Sequence, residues 1–415
     1  MESRFLQIHT LISYPASLLN RDDAGFAKRI PFGGVSRTRI SSQCLKRHWR
    51  TAEGEHAFGA LDVPASVRSR LSFEKFVVRP CLEAGMAESV VRAVAQAYAD
   101  EVLGASEKKK SDGGDAEQEA GAVLETGQVT VLGRPELSFL EGEVRKVVAS
   151  LRDAGIPAKP GVFGKDEAKK TREAVKKELT AEARKNLRAL RHGAGLDAAV
   201  FGRMVTSDAL ARCDAAVHVA HSFTAHAEAA ESDYFSAVDD LRRAESGDLG
   251  SGHINSSELT TGLFYGYAVV DVPLLVSNLE GCPATEAAKA DRTLAANVVG
   301  RLVQLAATVS PGAKLGSTAP YAHAHLVVVE AGKAQPRTLA NAFLRPVAER
   351  PDVLENAYRA LGAHLGELDR MYGSPGKRVL AGIGPLAALG EPSATEIVPS
   401  LAELAAWAAG RVREG

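Results

Sequence analysis

The chain has 415 residues, 45% of them hydrophobic and 24% charged, and a formal net charge of -1. This composition excludes the disordered class, and no run approaches the roughly 18 to 20 apolar residues that span a bilayer. The first residues lack a secretory signal, and the four cysteines show no CxxC spacing, which argues against a zinc ribbon or a disulfide framework. The sequence therefore predicts a folded cytoplasmic protein without a membrane partner.

The first strand and the first helix are predicted by their residue patterns. Residues 4–13, RFLQIHTLIS, are β-branched and aromatic enough for a strand, and YPASLLNRDDAG predicts a long loop after it. Within RISSQCLKRHWR, Ser41 or Ser42 can accept a hydrogen bond from a first-turn amide, which predicts the start of a helix. We expect one face of this helix, with Leu45, His48 and Trp49, to pack on the protein. The opposite face is expected to present hydrogen-bond donors from Gln43, Lys46 or Arg47, and Arg50.

Positive charge is concentrated in residues 28–50, which contain seven Lys or Arg and no Asp or Glu. Arg37 and Arg39 alternate along an extended segment, and the helix start at Ser41 and Ser42 offers unpaired amides to a phosphate. Donors spread over so many residues suit a polyanion chain better than a small anion. The pattern favours a nucleic-acid surface, and it leaves open a partner-docking patch or a site for a phosphorylated metabolite.

The middle of the chain, from about 85 to 200, has helical composition. It is interrupted near 104–122 by GASEKKKSDGGDAEQEAGA, which predicts a mobile loop. Residues 165–191 contain ten basic and five acidic residues, a local charge of +5 (10 minus 5), and predict a helix. Its composition favours a solvated surface helix, and contact with nucleic acid is the alternative.

The last part of the chain mixes strand and helix patterns. A Gly- and Ser-rich piece between DYFSAVDDL and LFYGYAVVDVPLLV predicts a long hairpin that projects from a sheet. Helical pattern returns at about 284–309 and 351–372, and the apolar tail PSLAELAAWAAGRV predicts a helix that docks on the body. The pattern as a whole indicates the α+β class.

Sequence signatures of catalysis are absent. The chain has no P-loop, GxSxG, HExxH or GxGxxG motif. His218 with His221, and His323 with His325, are spaced as metal ligands, but neither pair has a third ligand nearby, so packing roles are favoured. We therefore expect no catalytic residue, no metal and no cofactor.

The loop sequence NRDD leaves one chemical alternative open. The adjacent carboxylates of Asp22 and Asp23 could bind a divalent ion and assist RNA cleavage. Adjacent Asp residues more often form turns and caps, which is the favoured interpretation.

Six segments together resemble the CasC family, the repeated backbone subunit of the type I-E CRISPR surveillance complex Cascade: LNRDD, FGG, RISSQCLKR, GRMVTSD, AVDDL and GLFYGYAVVD. Residues that resemble the family are most frequent at 5–50 and 200–270. The resemblance implies an RRM-like, ferredoxin-type palm with inserted helical fingers and a β-hairpin thumb. The implied boundaries are 1–57 and 196–385 for the palm, 58–195 for the fingers, 222–262 for the thumb and 386–415 for a C-terminal helix packed on the palm.

The resemblance also implies which residues bind nucleic acid. Met204 and Ile254 would act as apolar wedges that displace a base, and finger-helix lysines would contact target DNA. One departure from the family is that Val35 and Ser36 stand where its members are often basic. Including the cluster residues argued above, the expected RNA-binding residues are Arg21, Lys28, Arg37, Arg39, Ser41, Ser42, Gln43, Lys46, Arg50, Arg203, Met204, Phe235, Ser236 and Ile254, and the expected DNA-binding residues are Lys169, Lys170, Lys176 and Lys177.

The function expected from this resemblance is that of a non-catalytic scaffold. Copies of the chain would polymerise in a helical filament along a CRISPR RNA and present it to target DNA in antiviral defence. Other Cascade subunits and a separate nuclease would be partners. Two alternatives remain open: a metal-dependent ribonuclease that cleaves guide-bound target RNA through Asp22 or Asp23, and a free-standing RNA-binding protein.

Overall fold

The computed structural model describes residues 3–103, 123–153, 165–188, 190, 193–203, 213–238, 251–390 and 395–414. The chain forms two compact units. The first unit comprises Met1–Leu61, Val217–Val272 and Arg292–Gly415, and the second comprises Asp62–Ala216 and Pro273–Asp291.

The strands and the main helices follow one another along the whole chain. The strands are β1 (Phe5–Ser17), β2 (Arg29–Phe32), β3 (Val35–Ile40), β4 (Ser66–Ser69), β5 (Thr130–Gly133), β6 (Val217–Val219), β7 (Ser222–Thr224), β8 (Ala229–Val238), β9 (Ser251–Asp271), β10 (Ala324–Gly332), β11 (Lys377–Gly382) and β12 (Thr395–Ile397). The helices are α1 (Ser42–Thr51), α2 (Arg79–Glu83), α3 (Glu88–Leu103), α4 (Arg134–Asp153), α5 (Lys165–Glu178), α6 (Ala181–Arg188), α7 (Leu196–Phe201), α8 (Val272–Glu280), α9 (Thr293–Thr308), α10 (Leu315–Thr318), α11 (Val353–Tyr372) and α12 (Leu401–Glu414).

A mixed sheet forms the body of the first unit. Its strand order is β12-β11-β10-β1-β9-β7-β3-β2, and β6 and β8 also pair with β9. Among the strand pairs of the described residues, β11 and β12 alone are parallel to each other. Because β9 is 21 residues long, it pairs with β1 on one side and with β6, β7 and β8 in turn on the other. Strand β8 pairs with residues 251–261 of β9 to form the predicted hairpin, which we call the ribbon.

Both faces of this sheet are covered by helices, which explains why β1 is buried along most of its length. Ile8 and Ile12 lie with Leu45 and Trp49 of α1 on one face. Leu11 packs on the other face, in a core formed with Tyr358, Leu361 and Leu365 of α11 and with side chains of β9, β10 and β11.

A buried ion-pair network joins β10, β11 and α11. Arg378 Nη2 donates to Glu330 Oε1 at 2.7 Å, and Arg378 Nη1 donates to Asp369 Oδ2 at 2.9 Å. The side chains of Arg378 and Glu330 are both 0% exposed. Burial raises the pKa of Glu330, but His9 and Arg378 lower it by more, so the net shift is downward. The pKa of Asp369 is likewise lowered by Arg378 and Arg337 against the effect of burial.

The second unit has a separate helical core. Val91 of α3, Leu140 and Val144 of α4 and Val175 of α5 are all fully buried in it. Val67 of β4 packs against the same cluster, and β4 pairs with β5 in a two-stranded sheet.

The structure confirms the predicted mixture of sheet and helices, with several local differences. The helix predicted over 165–191 is divided into α5 and α6, because the Thr180 hydroxyl accepts a hydrogen bond from Ala183 N at 3.1 Å and begins a new helix. Residues 196–216 and 273–291 belong to the second unit, although the palm boundaries implied by the resemblance include both stretches. The predicted mobile loop near 104–122 lies outside the described residues.

The remaining general expectations concern the tail and the membrane. The predicted C-terminal helix is α12, which packs on α9: Gly300 lies against Ala405 and Ala409, and Arg413 donates to Asn297 at 3.1 Å. None of the helices within the described ranges combines the length and the apolar character needed to cross a membrane.

Candidate nucleic-acid interface

Asn20 fixes the loop that precedes the basic cluster. Its carbonyl accepts a hydrogen bond from Lys28 N at 2.9 Å, and its side-chain Oδ1 accepts one from Ser41 N at 2.9 Å. Arg39 N in turn donates to the Lys28 carbonyl at 2.8 Å. These bonds hold Lys28, β3 and the start of α1 side by side, a role of the LNRDD segment that the sequence analysis missed.

Helix α1 is held with one face on the sheet and the other outward. Leu45 and Trp49 are 8% and 5% exposed, as the predicted packing face requires. On the other face Gln43 and Arg47 are exposed, and Lys46 and Arg50 are half-buried.

We define the basic track as Lys28, Arg39, Lys46, Arg47 and Arg50. Among the described residues, no carboxylate lies within 4.0 Å of the charged atoms of Lys28, Arg39, Lys46 or Arg47. Burial lowers the pKa of Lys46, as expected for a cation without a neighbouring anion. At these four side chains the track thus presents positive charge that the described part of the chain does not neutralise.

Arg29, which also belongs to the cluster, is neutralised by the chain itself. It forms ion pairs with Glu228, which directly precedes β8, and with Glu258 of β9. The same carboxylates accept hydrogen bonds from the Ser36 hydroxyl at 2.8 Å and from Ala27 N at 2.6 Å. Arg29 therefore fastens the β2–β3 hairpin to the base of the ribbon.

The prediction that Arg37 contacts RNA is wrong for this structure. Its side chain is 0% exposed, and its guanidinium donates to the carbonyls of Phe32, Thr224 and Phe343 at 3.2, 2.9 and 2.8 Å. Burial lowers its pKa. Arg37 is a structural residue that links β3 to Thr224 of β7 and to Phe343.

The helix start also differs from the prediction of unpaired amides. Ser41 is 6% exposed and is the N-cap, since its Oγ accepts a hydrogen bond from Cys44 N at 3.3 Å. Ser42 N donates to His221 Nδ1 at 3.2 Å. Two of the first three amides of α1 are thus occupied, so Ser41 caps the helix instead of gripping a phosphate.

Arg203 is a second correction among the predicted RNA contacts. It lies in the second unit with a side chain that is 0% exposed, and it donates from Nη1 and Nη2 to the two carboxylate oxygens of Glu136, both at 2.6 Å. Glu136 Oε2 also accepts from Gly133 N at 3.1 Å. This buried bidentate pair gives Arg203 a structural role.

The remaining residues predicted to contact RNA differ in their exposure and in the element on which they lie. Arg21 and Gln43 are exposed, and Ser42 is half-buried. Met204 lies outside the described residues. Phe235 and Ser236 lie on β8, and Ser236 is the cross-strand partner of Ile254 on β9, so the ribbon brings these backbones together.

The four lysines predicted to contact DNA all lie on α5 of the second unit and are exposed. Lys176 Nζ lies 3.7 Å from Glu101 Oε1, at a largely exposed pair, whose contribution to stability is small. Lys169, Lys170 and Lys177 extend the same charged surface.

The alternative sites considered from the sequence have local partners. Asp22 Oδ1 accepts a hydrogen bond from Phe26 N at 2.9 Å, so this carboxylate forms a turn in which Gly25 has a φ of 94°. His218 lies on β6 and His221 in the short connection after it, so the two residues are not one helical turn apart, as two metal ligands on a helix would be. Within the described ranges no three His, Cys, Asp or Glu side chains are grouped as metal ligands.

Comparisons with known proteins complete the description of the site. The model of a family described as CT1975-like protein matches residues 6–407. A chain of the "CRISPR RNA-guided surveillance complex, pre-nicking" is 26% identical, with a TM-score of 0.74, and the match covers 98% of this chain and 100% of that one. A chain of a "CRISPR RNA-guided surveillance complex" is 21% identical with a TM-score of 0.65 over 98% and 99% of the two chains, a likeness of fold. No curated protein matches.

Proposed function

This chain belongs to the CT1975-like protein family, and we propose that it is the CRISPR RNA-binding backbone subunit of a Cascade surveillance complex. The observation that carries the proposal is that four residues of the basic track have no carboxylate partner among the described residues, namely Lys28, Arg39, Lys46 and Arg47. They belong to a chain that matches, over nearly its whole length, a chain of an RNA-guided surveillance complex. The family and this likeness support the coarser part of the resemblance to CasC. The type I-E assignment is part of our proposal.

The proposed contact is electrostatic and independent of sequence. Phosphates of the guide lie along Lys28, Arg39, Lys46 and Arg50, which come from a loop, a strand and one helix face fixed by Asn20. Neutralising these phosphates releases counterions, so affinity depends strongly on salt. The bases then stay free to pair with target DNA, and specificity belongs to the guide.

Our proposal includes assembly of several copies on the guide. Copies of the chain line up head to tail along one RNA, and the ribbon of each copy crosses the strand held by its neighbour. Met204 and Ile254 would hold a displaced base there, with Phe235 and Ser236 beside them. Other Cascade subunits complete the complex in the cytoplasm, and a separate nuclease cuts the DNA.

The proposal assigns no catalysis to this chain. Asp22, one of the two carboxylates on which the ribonuclease alternative depends, already accepts a hydrogen bond from Phe26 N within its own turn. Adding guide-complementary RNA and Mg²⁺ to the assembled complex separates the two functions. Regularly spaced cuts that disappear in Asp22→Ala or Asp23→Ala would establish the ribonuclease.

The test is co-expression of the chain with a CRISPR RNA, followed by purification and imaging. We expect several copies wound on one RNA. The double variant Lys46→Ala/Arg50→Ala should bind all RNA sequences more weakly and with a flatter salt dependence, because two phosphate contacts are lost, and the slope should fall by about 1.4 on the single-strand scale. Lys333→Ala, an exposed lysine elsewhere in the first unit, is the matched control.

The outcomes of this test are distinct. A monomer that binds RNA without ordered multimers would indicate a free-standing RNA-binding protein. Loss of binding to selected sequences with an unchanged salt slope would contradict phosphate recognition by α1.

A further inference from the structure

His221 lies beside the basic track, although its sequence motif suggested only a packing role. It lies in the short connection between β6 and β7, and the residue is exposed. Its Nδ1 is 3.2 Å from Ser42 N and 3.3 Å from Arg39 Nη1. The imidazole therefore bridges the first turn of α1 and an arginine of the track.

The partners of His221 determine which ring nitrogen carries its proton. A backbone N–H can only donate, so the bond from Ser42 N requires Nδ1 to be an acceptor. In the neutral ring the proton is then on Nε2. Among the described residues none accepts a hydrogen bond from Nε2, so this N–H is a donor without a protein partner.

The surroundings of the ring keep it uncharged at neutral pH. Burial, Arg39 and Lys28, in that order, lower the pKa of His221 from its ordinary 6.5. Protonation at Nδ1 would also break the bond from Ser42 N. His221 is thus a neutral donor among cations.

We propose that His221 binds the RNA strand through Nε2–H, as an uncharged hydrogen-bond donor to a sugar or phosphate oxygen. The inference rests on the proposed RNA-binding function and adds a residue to its site. A strand that neutralises Arg39 must pass close to the imidazole, because Arg39 Nη1 is 3.3 Å from its ring. The track then combines charged contacts, which set the salt dependence, with a neutral contact that does not change it.

Two substitutions separate this role from a structural one. In His221→Asn the side-chain oxygen takes the place of Nδ1 and can accept from Ser42 N, but no donor reaches the place of Nε2. In His221→Gln an amide donor reaches that place. If His221 only supports the start of α1, Asn should preserve RNA affinity.

The test measures the Kd of the full-length chain for a single-stranded RNA over a range of salt concentrations. We expect His221→Asn to weaken binding about three- to tenfold at every salt concentration, with an unchanged slope. His221→Gln should recover part of the loss. The exposed histidine variant His323→Asn should bind like the wild type.

Each outcome decides a different question. Wild-type affinity in His221→Asn, with thermal unfolding unchanged, would overturn the inference while leaving the proposed function intact. A reduced salt slope in this variant would also overturn it, since a charged contact would then have been lost. Failure of the wild type to bind RNA would instead reject the proposed function.

A matched DNA strand locates the acceptor. A loss of affinity on RNA and DNA alike assigns the contact to a phosphate oxygen. A loss on RNA alone assigns it to the 2′-hydroxyl, the group by which proteins distinguish RNA from DNA.

Discussion

Arg37 and Arg39 stand two residues apart on β3 and have opposite environments. Arg37 is fully buried against three carbonyls, whereas Arg39 is half-buried and donates from Nε to the Arg29 carbonyl at 3.1 Å. Only one of these two guanidinium groups is therefore placed to meet a phosphate. A positive cluster in a sequence is thus a mixture of structural and binding charges.

Substitution of Arg37 should affect stability and leave the mode of RNA binding unchanged. Arg37→Met removes the donors to Phe32, Thr224 and Phe343, and we expect the free energy of unfolding to fall by about 2–4 kcal/mol because buried carbonyls lose partners. Denaturant unfolding measures this loss. The folded fraction should retain the wild-type salt slope of RNA binding; a flatter slope would mean that Arg37 contacts phosphate after all.

The sequence could not distinguish these residues, because their partners are distant along the chain. Arg37 bonds to Phe343, Arg29 pairs with Glu258, and Arg203 pairs with Glu136, in each case far outside any local pattern. The local signals were more reliable: the cap at Ser41 and the packing face of α1 follow from the spacing of neighbouring residues. The residue types in the sequence predicted a basic surface. The folded structure was needed to show which of the basic residues lie on it.

Among the elements, β10, β11 and α11 share the buried network of Glu330, Asp369 and Arg378. Both carboxylates have pKa values below their ordinary 4.5 and 3.8. Their contribution to stability is therefore complete above those ordinary values and is lost as the pH falls through the lowered ones. The first unit should therefore lose stability as the pH falls below the ordinary values of 4.5 and 3.8.

Glu330→Gln tests this expectation. At pH 7 we expect the free energy of unfolding to fall by about 2–4 kcal/mol, because the buried Arg378 loses one of the two carboxylates that contact it, Glu330, and retains Asp369. Between pH 6 and pH 3 the variant should lose less stability than the wild type. Glu355→Gln, which breaks an exposed pair with Arg359, is the control and should change stability by at most about 0.5 kcal/mol. An equal pH dependence in Glu330→Gln and the wild type would contradict the assignment.

At the scale of the whole molecule, our proposal assigns RNA binding to the basic track and the ordered assembly of copies to the ribbon. Ser232 of β8 and Glu258 of β9 are cross-strand partners, so replacing residues 233–257 by Asn-Gly closes the ribbon with a two-residue turn. This retains Glu228 and Glu258, the partners of Arg29. We expect the shortened chain to fold and to bind RNA as single copies without forming ordered multimers, as measured by light scattering and imaging. Multimers of wild-type spacing would show that the ribbon is dispensable.

The sequence also predicted much of the organisation at this scale. The first strand, the helical middle, the long hairpin and the final helix are all present. The assignment of residues 273–291 to the second unit was not predicted, because α8 follows β9 directly and its apolar pattern does not say which core it joins. The palm, fingers and thumb boundaries stay predictions of the resemblance.

The two outer strands of the large sheet limit how copies of the chain can associate. β2 is four residues long and contains Pro31, which has no N–H to donate, and β12 is only three residues long. Short edges and an edge proline discourage the addition of a foreign strand. Neighbouring molecules are therefore not expected to join through β2 or β12 by continuing one sheet into the next, as amyloid does. A filament of this protein should dissolve into intact monomers once its polynucleotide is digested.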